Sequence, residues 1–128
     1  MAPNLPSKTN KTLKNNKSNY DCLIPVSGGK DSYYQTHIIV EEFKLKPLLM
    51  TYNGNNFLPE GDLNRDRMRH NFDADHIVWG PSIKVLKKLN RLGFKKMGDM
   101  NWHNHCGIET SPIIVAVKFK IPLIIWGE

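Results

Sequence analysis

Apolar positions along the chain fall into short runs that end in turn residues, and between the runs the pattern takes a helical period. Tyr20-Asp21-Cys22-Leu23-Ile24-Pro25-Val26 is an apolar run stopping at Ser27-Gly28-Gly29, the signature of a buried strand that ends in a tight turn. Pro25 cannot donate to a ladder, which places it near the strand's end or beside a bulge. From Ser32 to about Lys46, Tyr34 and Ile38, then Ile39 and Phe43, are spaced i to i+4 with Glu41 and Glu42 facing outward. That helix closes at Pro47. Leu48–Tyr52 reads as a second strand and Asn53-Gly54-Asn55-Asn56 as turn chemistry. Gly61 to Phe72 is a polar, Arg-rich helix, and His76–Trp79 is a third strand before Gly80-Pro81. Ser82 caps a helix whose Ile83, Leu86, Leu89 and Leu92 share one stripe. Gly93 to His105 reads as irregular. Ser111-Pro112 to Phe119 follows as a helix with Pro112 in its first turn, and Ile121–Trp126 as a fourth buried strand.

This alternation predicts an α/β fold: an open parallel sheet with helices on both faces, Rossmann-like in class. At 128 residues the chain holds one such domain, over residues 20–128, preceded by a disordered basic leader at 1–19. The last strand reaches its loop at Gly127-Glu128, where an open sheet should build part of its crevice, so the domain reads as incomplete, part of a longer enzyme.

Charge changes little in this picture. Lys and Arg number 18 against 12 Asp and Glu, a net +6. Lys8, Lys11, Lys14 and Lys17 stand in the leader with no acid beside them, so the folded body is close to neutral. That demotes a nucleic-acid partner. No apolar run approaches a membrane span and no signal peptide opens the chain, so a cytoplasmic protein with no membrane partner is expected. Cys22 sits in the first strand as a small buried hydrophobe, and a disulfide to Cys106 is not expected.

Ser27-Gly28-Gly29-Lys30-Asp31-Ser32 carries most of the chemistry. It lies between a strand and a helix, where backbone N–H groups and the helix dipole can cradle phosphate. Gly28 and Gly29 allow positive φ and close approach. Ser27 and Ser32 offer hydroxyls, Lys30 a point charge for phosphate, and Asp31 a helix cap or a ligand for Mg²⁺. A Walker loop is excluded, because Ile24 stands where its first Gly is needed and Asp31 where its Ser or Thr is needed. Such a hexapeptide would arise by chance in roughly one in 10⁵ chains of this length, which disfavours an ordinary capped turn.

The hexapeptide after a first strand resembles the PP-loop ATP pyrophosphatases of the adenine nucleotide alpha hydrolase-like fold. With Pro47-Leu48-Leu49, Asp75-His76-Ile77, Gly98-Asp99, Trp102-His103, Gly107-Ile108 and Ala116–Phe119 through Gly127-Glu128, the chain is similar to the N-acetyl sugar amidotransferases of lipopolysaccharide and other surface-polysaccharide synthesis. The resemblance implies ATP and Mg²⁺, with Lys30 and Asp31 catalytic and Asp31 on the metal. It implies a nucleotide site of Ser27, Gly28, Gly29, Lys30, Asp31, Ser32, Asn53 and Gly127. A free or nucleotide-linked acetamido sugar would be adenylated and then amidinated by ammonia from glutaminase and cyclase-like subunits. The chain departs from the family in length. It also has Asn101-Trp102-His103-Asn104-His105-Cys106-Gly107 where the family places cysteines at Asn101 and Asn104.

The lesser signals are weaker. His103, His105 and Cys106 lie too close together in sequence for all three to converge on one zinc ion, so a substrate-facing loop carrying His103 and His105 is preferred. Asp99 is a further, minor candidate for Mg²⁺ or substrate. Lys84, Lys87, Lys88, Arg91, Lys95 and Lys96 form a basic helix face, read first as solvated. Two other readings stand beside the amidotransferase: a PP-loop enzyme of tRNA modification, and an ATP-binding remnant without turnover. Because residues 1–19 have little to bury, a chain beginning at Asn19 should melt within about 2 °C of the full chain. A large drop in differential scanning calorimetry would show that the leader docks on the body.

Overall fold

The computed structural model describes residues 18–54 and 58–127. The expected leader lies outside them as far as Lys17, as do Asn55 and Asn56 of the turn. Ser18 is described, and its hydroxyl donates to the carbonyl of Phe119 at 3.0 Å.

Three parallel strands, β1 (Cys22–Pro25), β2 (Pro47–Tyr52) and β3 (Asp75–Trp79), pair in the order β1-β2-β3. Leu23 lies opposite Leu48, and Leu48 opposite Asp75. Between the strands run α1 (Lys30–His37), α2 (Pro59–Asn71), α3 (Ile83–Met97) and α4 (Trp102–Phe119), the last two after β3. Residues 123–125 then come back to the free side of β1. Leu23 N–H donates to Leu123 O and Ile125 N–H to Leu23 O, both at 2.9 Å, which makes Leu23 and Ile124 a parallel bridge. The chain therefore steps outward from β1 to β3 and returns across β1. The reversal falls beside β1, the position where open α/β sheets form a crevice at their carboxyl edge.

Strand alternation divides the core into two layers. Cys22, Ile24, Val26 and Leu49 pack with Ile39, Met68 and Phe72. Leu23, Leu48 and Met50 pack on the opposite face with Ala116 and Ile121. All six β2 residues are buried, as a strand covered on both faces requires. The α/β class and the parallel sheet are as the alternation predicts.

Several element boundaries differ from expectation, each for a local reason. The first helix does not run to Lys46. It widens at Ile38–Glu42 into a π-turn, with Phe43 N–H on Ile38 O at 3.1 Å, and Lys44 then takes a left-handed φ of 52° that ends it. The second helix begins at Pro59, a proline at its first position, rather than at Gly61. The stretch Gly93–His105, expected irregular, is mostly helical: α3 continues to Met97, Gly98 closes it at φ 70°, and α4 starts at Trp102. Pro112 is therefore interior to α4. It interrupts the backbone ladder, and in the turn before it the hydroxyls of Thr110 and Ser111 each donate to a carbonyl, Cys106 O and Gly107 O, at 2.6 Å. The fourth strand is reduced to the single bridge at Ile124. The next rung would need an N–H from Pro25, and there is none.

Gly93 is where α3 meets the start of α4. A Cβ there would stand 2.5 Å from the Asp99 carbonyl oxygen and 3.5 Å from the Trp102 Cβ. Gly93→Ala should cost about 1–3 kcal/mol through this clash with backbone. The exposed Lys88→Ala on the same helix should stay within about 0.5 kcal/mol. Urea denaturation of both variants checks the difference.

Candidate functional site

The turn from β1 into α1 is built on Gly28 and Gly29. Gly28 has φ 88°, and a Cβ there would stand 2.8 Å from Gly61 O and 3.0 Å from the Arg65 Cγ, so only glycine fits. Gly29 is the N-cap of α1 in extended conformation. Its carbonyl accepts from Ser32 Oγ at 3.0 Å and Tyr33 N at 3.1 Å. Asp31 lies in the first turn and caps nothing with its side chain, contrary to one of the two roles expected for it. The amides of Ser27 and Gly28 donate to no other described residue.

Beside this turn opens a cleft of about 300 Å³. Ser27, Gly29, Asp31 and Ser32 form its loop wall, and Met50, Thr51 and Tyr52 at the end of β2 its floor. Asn104, Ile108 and Pro112 of α4 close the far side, with Trp126 and Gly127 beside the bridge segment. The cleft thus occupies the reversal point of the sheet, at the carboxyl ends of its strands. Gly127 approaches α1 closely there: a Cβ would come 2.6 Å from Oε1 at the end of the Gln35 side chain. Tyr52 packs tightly against α4, where a Cβ at Gly107 would stand 2.2 Å from its Cζ. Its phenol is held above its ordinary pKa, by burial first and then by the nearby Cys106.

Behind the loop, three side chains from other elements hold the end of β1. Val26 N–H donates to Met50 O at 2.8 Å, and Val26 O accepts from Thr51 Oγ1 at 2.6 Å. His76 Nε2 stands 2.8 Å from the same hydroxyl. The one Thr51 proton is committed to Val26 O, so His76 Nε2 carries the hydrogen of that second bond. Arg65 of α2 is 5% exposed; its Nη1 reaches Ser27 O at 3.4 Å and its Nη2 pairs with Asp62. Burial, then the charges of Arg65 and Arg69, push the His76 imidazole down to about 4. The ring is neutral at physiological pH. Arg65, Arg69, Asp62, Asp66, Asn53 and His76 line a second, polar cleft of about 250 Å³ on the α2 side of β2 and β3.

The expected site residues separate into groups. Ser27, Gly29, Asp31, Ser32 and Gly127 line the main cleft, and Gly28 shapes its wall from behind. Lys30, the first residue of α1, is exposed beside the cleft rather than part of its lining. Asn53 lines the second cleft instead, with its N–H on Trp79 O at 2.7 Å. His103 is buried, with Nε2 bonded to Asn90 Oδ1 at 2.6 Å and Nδ1 unpartnered among the described residues, while His105 is exposed. The residue between them, Asn104, reaches the cleft. Asp99 accepts from Asn101 N–H at 2.7 Å and so shapes the α3–α4 turn. No three His, Cys, Asp or Glu side chains converge on a metal position among the described residues, so His103, His105 and Cys106 form no ligand cluster. Both cysteines are free, with burial pushing the Cys22 thiol up to about 12.

Thr51, Arg65, His76 and Asn104 are the site-forming side chains that pattern alone passed over. Arg65 had a signal, since it shares the stripe of Met68 and Phe72 at i+3 and i+7, where a buried side chain is due.

No family model matches the chain, and no curated protein matches its sequence. Among solved structures it is similar to the NH3-dependent NAD synthetase of Campylobacter jejuni in complex with the nitrate ion. That match has a TM-score of 0.54 at 10% identity, over 91% of this chain and 50% of that one. It is also similar to the U34-tRNA thiolase NcsA of Methanococcus maripaludis with its 4Fe–4S cluster, with a TM-score of 0.58 at 16% identity, over 94% of this chain and 43% of that one. The chain spans half or less of the length of either. The likeness shows a shared parallel α/β fold. Among the described residues no helix is long and apolar enough to cross a membrane.

The lowered pKa of His76 has a definite sign in stability. Between about 6.5 and about 4 the unfolded imidazole binds a proton that the folded one refuses, so stability falls as pH falls through that window and levels off below it. His76→Gln keeps a donor for Thr51 and has no such titration. Thermal melts from pH 7 to pH 4 should therefore fall more steeply for the native chain than for His76→Gln; parallel curves would contradict the shift.

Proposed function

We propose that the chain is a PP-loop ATP pyrophosphatase domain that binds ATP–Mg²⁺ at Ser27–Ser32 and activates a substrate oxygen as an adenylate. The observation that carries the reading is the loop itself: a left-handed Gly28 and a Gly29-capped helix at the reversal point of a parallel sheet, with undonated amides. Such amides and the N-terminal end of α1 suit a polyphosphate. Lys30, exposed at the first helical position, adds a mobile positive charge at the rim. The loop amides and Lys30 would stabilise the charge that grows on the phosphates as the bond to the α phosphorus breaks. Asp31, an exposed carboxylate on the loop wall, suits Mg²⁺, which takes one or two carboxylates together with substrate phosphates and water. When bound there, the ion would neutralise the leaving pyrophosphate.

For the acceptor we propose an acetamido sugar, free or nucleotide-linked. Its amide oxygen attacks the α phosphorus and pyrophosphate leaves. The amide proton is lost as the imidate forms, and ammonia then displaces AMP to leave an amidine. The motif resemblance supports this, and the NH3-dependent NAD synthetase puts an ammonia-dependent enzyme on the same fold. Ammonia would come from glutaminase and cyclase-like subunits in the cytoplasm, and Asn104, with His105 on the same helix, would face the sugar. A second reading, tRNA modification, is favoured by α3. Its Lys84, Lys87, Lys88, Arg91 and Lys95 are exposed, no acid occurs within Ile83–Met97, and the tRNA thiolase shares the fold.

Products discriminate the class. With ATP and Mg²⁺, acceptor-dependent turnover should release AMP and pyrophosphate; ADP and phosphate would contradict the assignment. Lys30→Ala should weaken ATP binding about ten- to a hundredfold by calorimetry, the loss of one charge-assisted phosphate contact. Equal affinity would show that Lys30 takes no part.

A further inference from the structure

We infer that Thr51 and Arg65 are positioning residues of the phosphate loop, acting through the two backbone carbonyls that they hold from behind. The inference rests on the ATP-binding reading above and adds to it which side chains aim the loop.

In a trans peptide the C=O of one residue and the N–H of the next point in opposite directions. Val26 O is drawn toward β2 by the Thr51 hydroxyl at 2.6 Å, so the Ser27 N–H is turned away from β2, toward the side where the bridge segment and the cleft lie. Ser27 O is drawn toward α2 by Arg65 Nη1 at 3.4 Å, so the Gly28 N–H is turned away from α2. Core packing puts α2 on one face of the sheet, through Met68 and Phe72, and α4, which walls the cleft, on the other, through Ala116. Two consecutive amides are thereby turned off the braced side, and neither donates to a described residue.

Each brace is itself held. Thr51 is buried and sits on β2, opposite Val78 of β3, and its oxygen takes a hydrogen bond from His76 Nε2. A threonine whose hydroxyl is engaged on both sides has no rotational choice left. Arg65 is fixed by Asp62 one turn earlier on α2, and its stem packs where a Gly28 side chain would stand. A valine at 51 would keep the shape and leave Val26 O unpaired, with nothing to fix the plane of the Val26–Ser27 peptide. An arginine at 65 has two prongs, one for Asp62 and one for Ser27 O. A lysine has a single point donor and serves one of them at a time.

The test is titration calorimetry with ATP–Mg²⁺ on the native chain, Thr51→Val, Thr51→Ser and Arg65→Lys, with a thermal melt of each. Thr51→Val should bind about tenfold more weakly, and Thr51→Ser, which restores the hydroxyl, within about threefold of the native chain. Arg65→Lys should lose several-fold while keeping its positive charge. Native affinity in Thr51→Val and Arg65→Lys would overturn the inference and leave the ATP site standing. An equal loss in Thr51→Val and Thr51→Ser would also overturn it, because packing rather than the hydroxyl would then be the cause. A native chain that binds no ATP would overturn the site and the inference together. If Thr51→Val does not fold, the Thr51→Ser and Arg65→Lys pair decides: native-like binding in the first and weakened binding in the second support the brace, and any other pattern overturns it.

Discussion

The end of β1 is the constraint on which the candidate site depends. β1 lies between β2 on one side and the single bridge to residues 123–125 on the other, and Pro25 is its last residue. Without an N–H, Pro25 stops the ladder toward Ile125, while Val26 remains bonded to Met50 on the other side. The sheet therefore splits at its carboxyl edge on one side of β1 only. Leu23 at the bridge is fully buried, while Trp126, two residues past Ile124, is exposed and lines the cleft. A donor at position 25 would allow the ladder to continue and would narrow the cleft where Ser27 and Gly127 now face it.

Electrostatics behind the loop follows from the same crowding. Arg65 enters the core because Gly28 leaves room for its stem, and its charge is met by Asp62 and by the Ser27 carbonyl. His76, next to Arg65 and Arg69 and half-buried, responds by staying neutral. A neutral ring there keeps one more charge from the loop and still donates to Thr51. The positive field at the loop thus comes from groups with fixed charge: a guanidinium behind, the dipole of α1, and Lys30 at the rim.

Much of this was legible in the sequence, and the gaps have physical causes. The strand, the glycine turn and the start of the first helix follow from an apolar run meeting Ser27–Ser32, and the missing donor of Pro25 left it near a strand's end or beside a bulge, of which the structure shows the first. The strand–helix alternation sufficed for a parallel sheet covered on both faces. The region 93–105 misled because Gly93 and Gly98 look like loop residues. One of them is a helix-packing glycine against Asp99 and the other a left-handed helix end. Pro112 looked like a helix start because a proline inside a helix removes a backbone bond, yet α4 runs through it, with the hydroxyls of Thr110 and Ser111 donating to Cys106 O and Gly107 O in the turn before. Asn53 and His103 carried the right chemistry in the wrong direction, since their side-chain environments are decided by β3 and by Asn90, far from them in sequence. Thr51 and Arg65 act on backbone carbonyls, a role that no local pattern announces.

On the function proposed above, the amides of Ser27 and Gly28 form an anion-binding turn facing the cleft. Amide-detected nuclear magnetic resonance during an ATP–Mg²⁺ titration tests it most directly. The resonances of Ser27, Gly28 and Gly29 should move together, saturate at one common dissociation constant, and move more than those of Asn53 and Asp75 beside the second cleft. Shifts centred on Asn53 and β3 with the loop amides unmoved, or no shifts at all, would contradict the account.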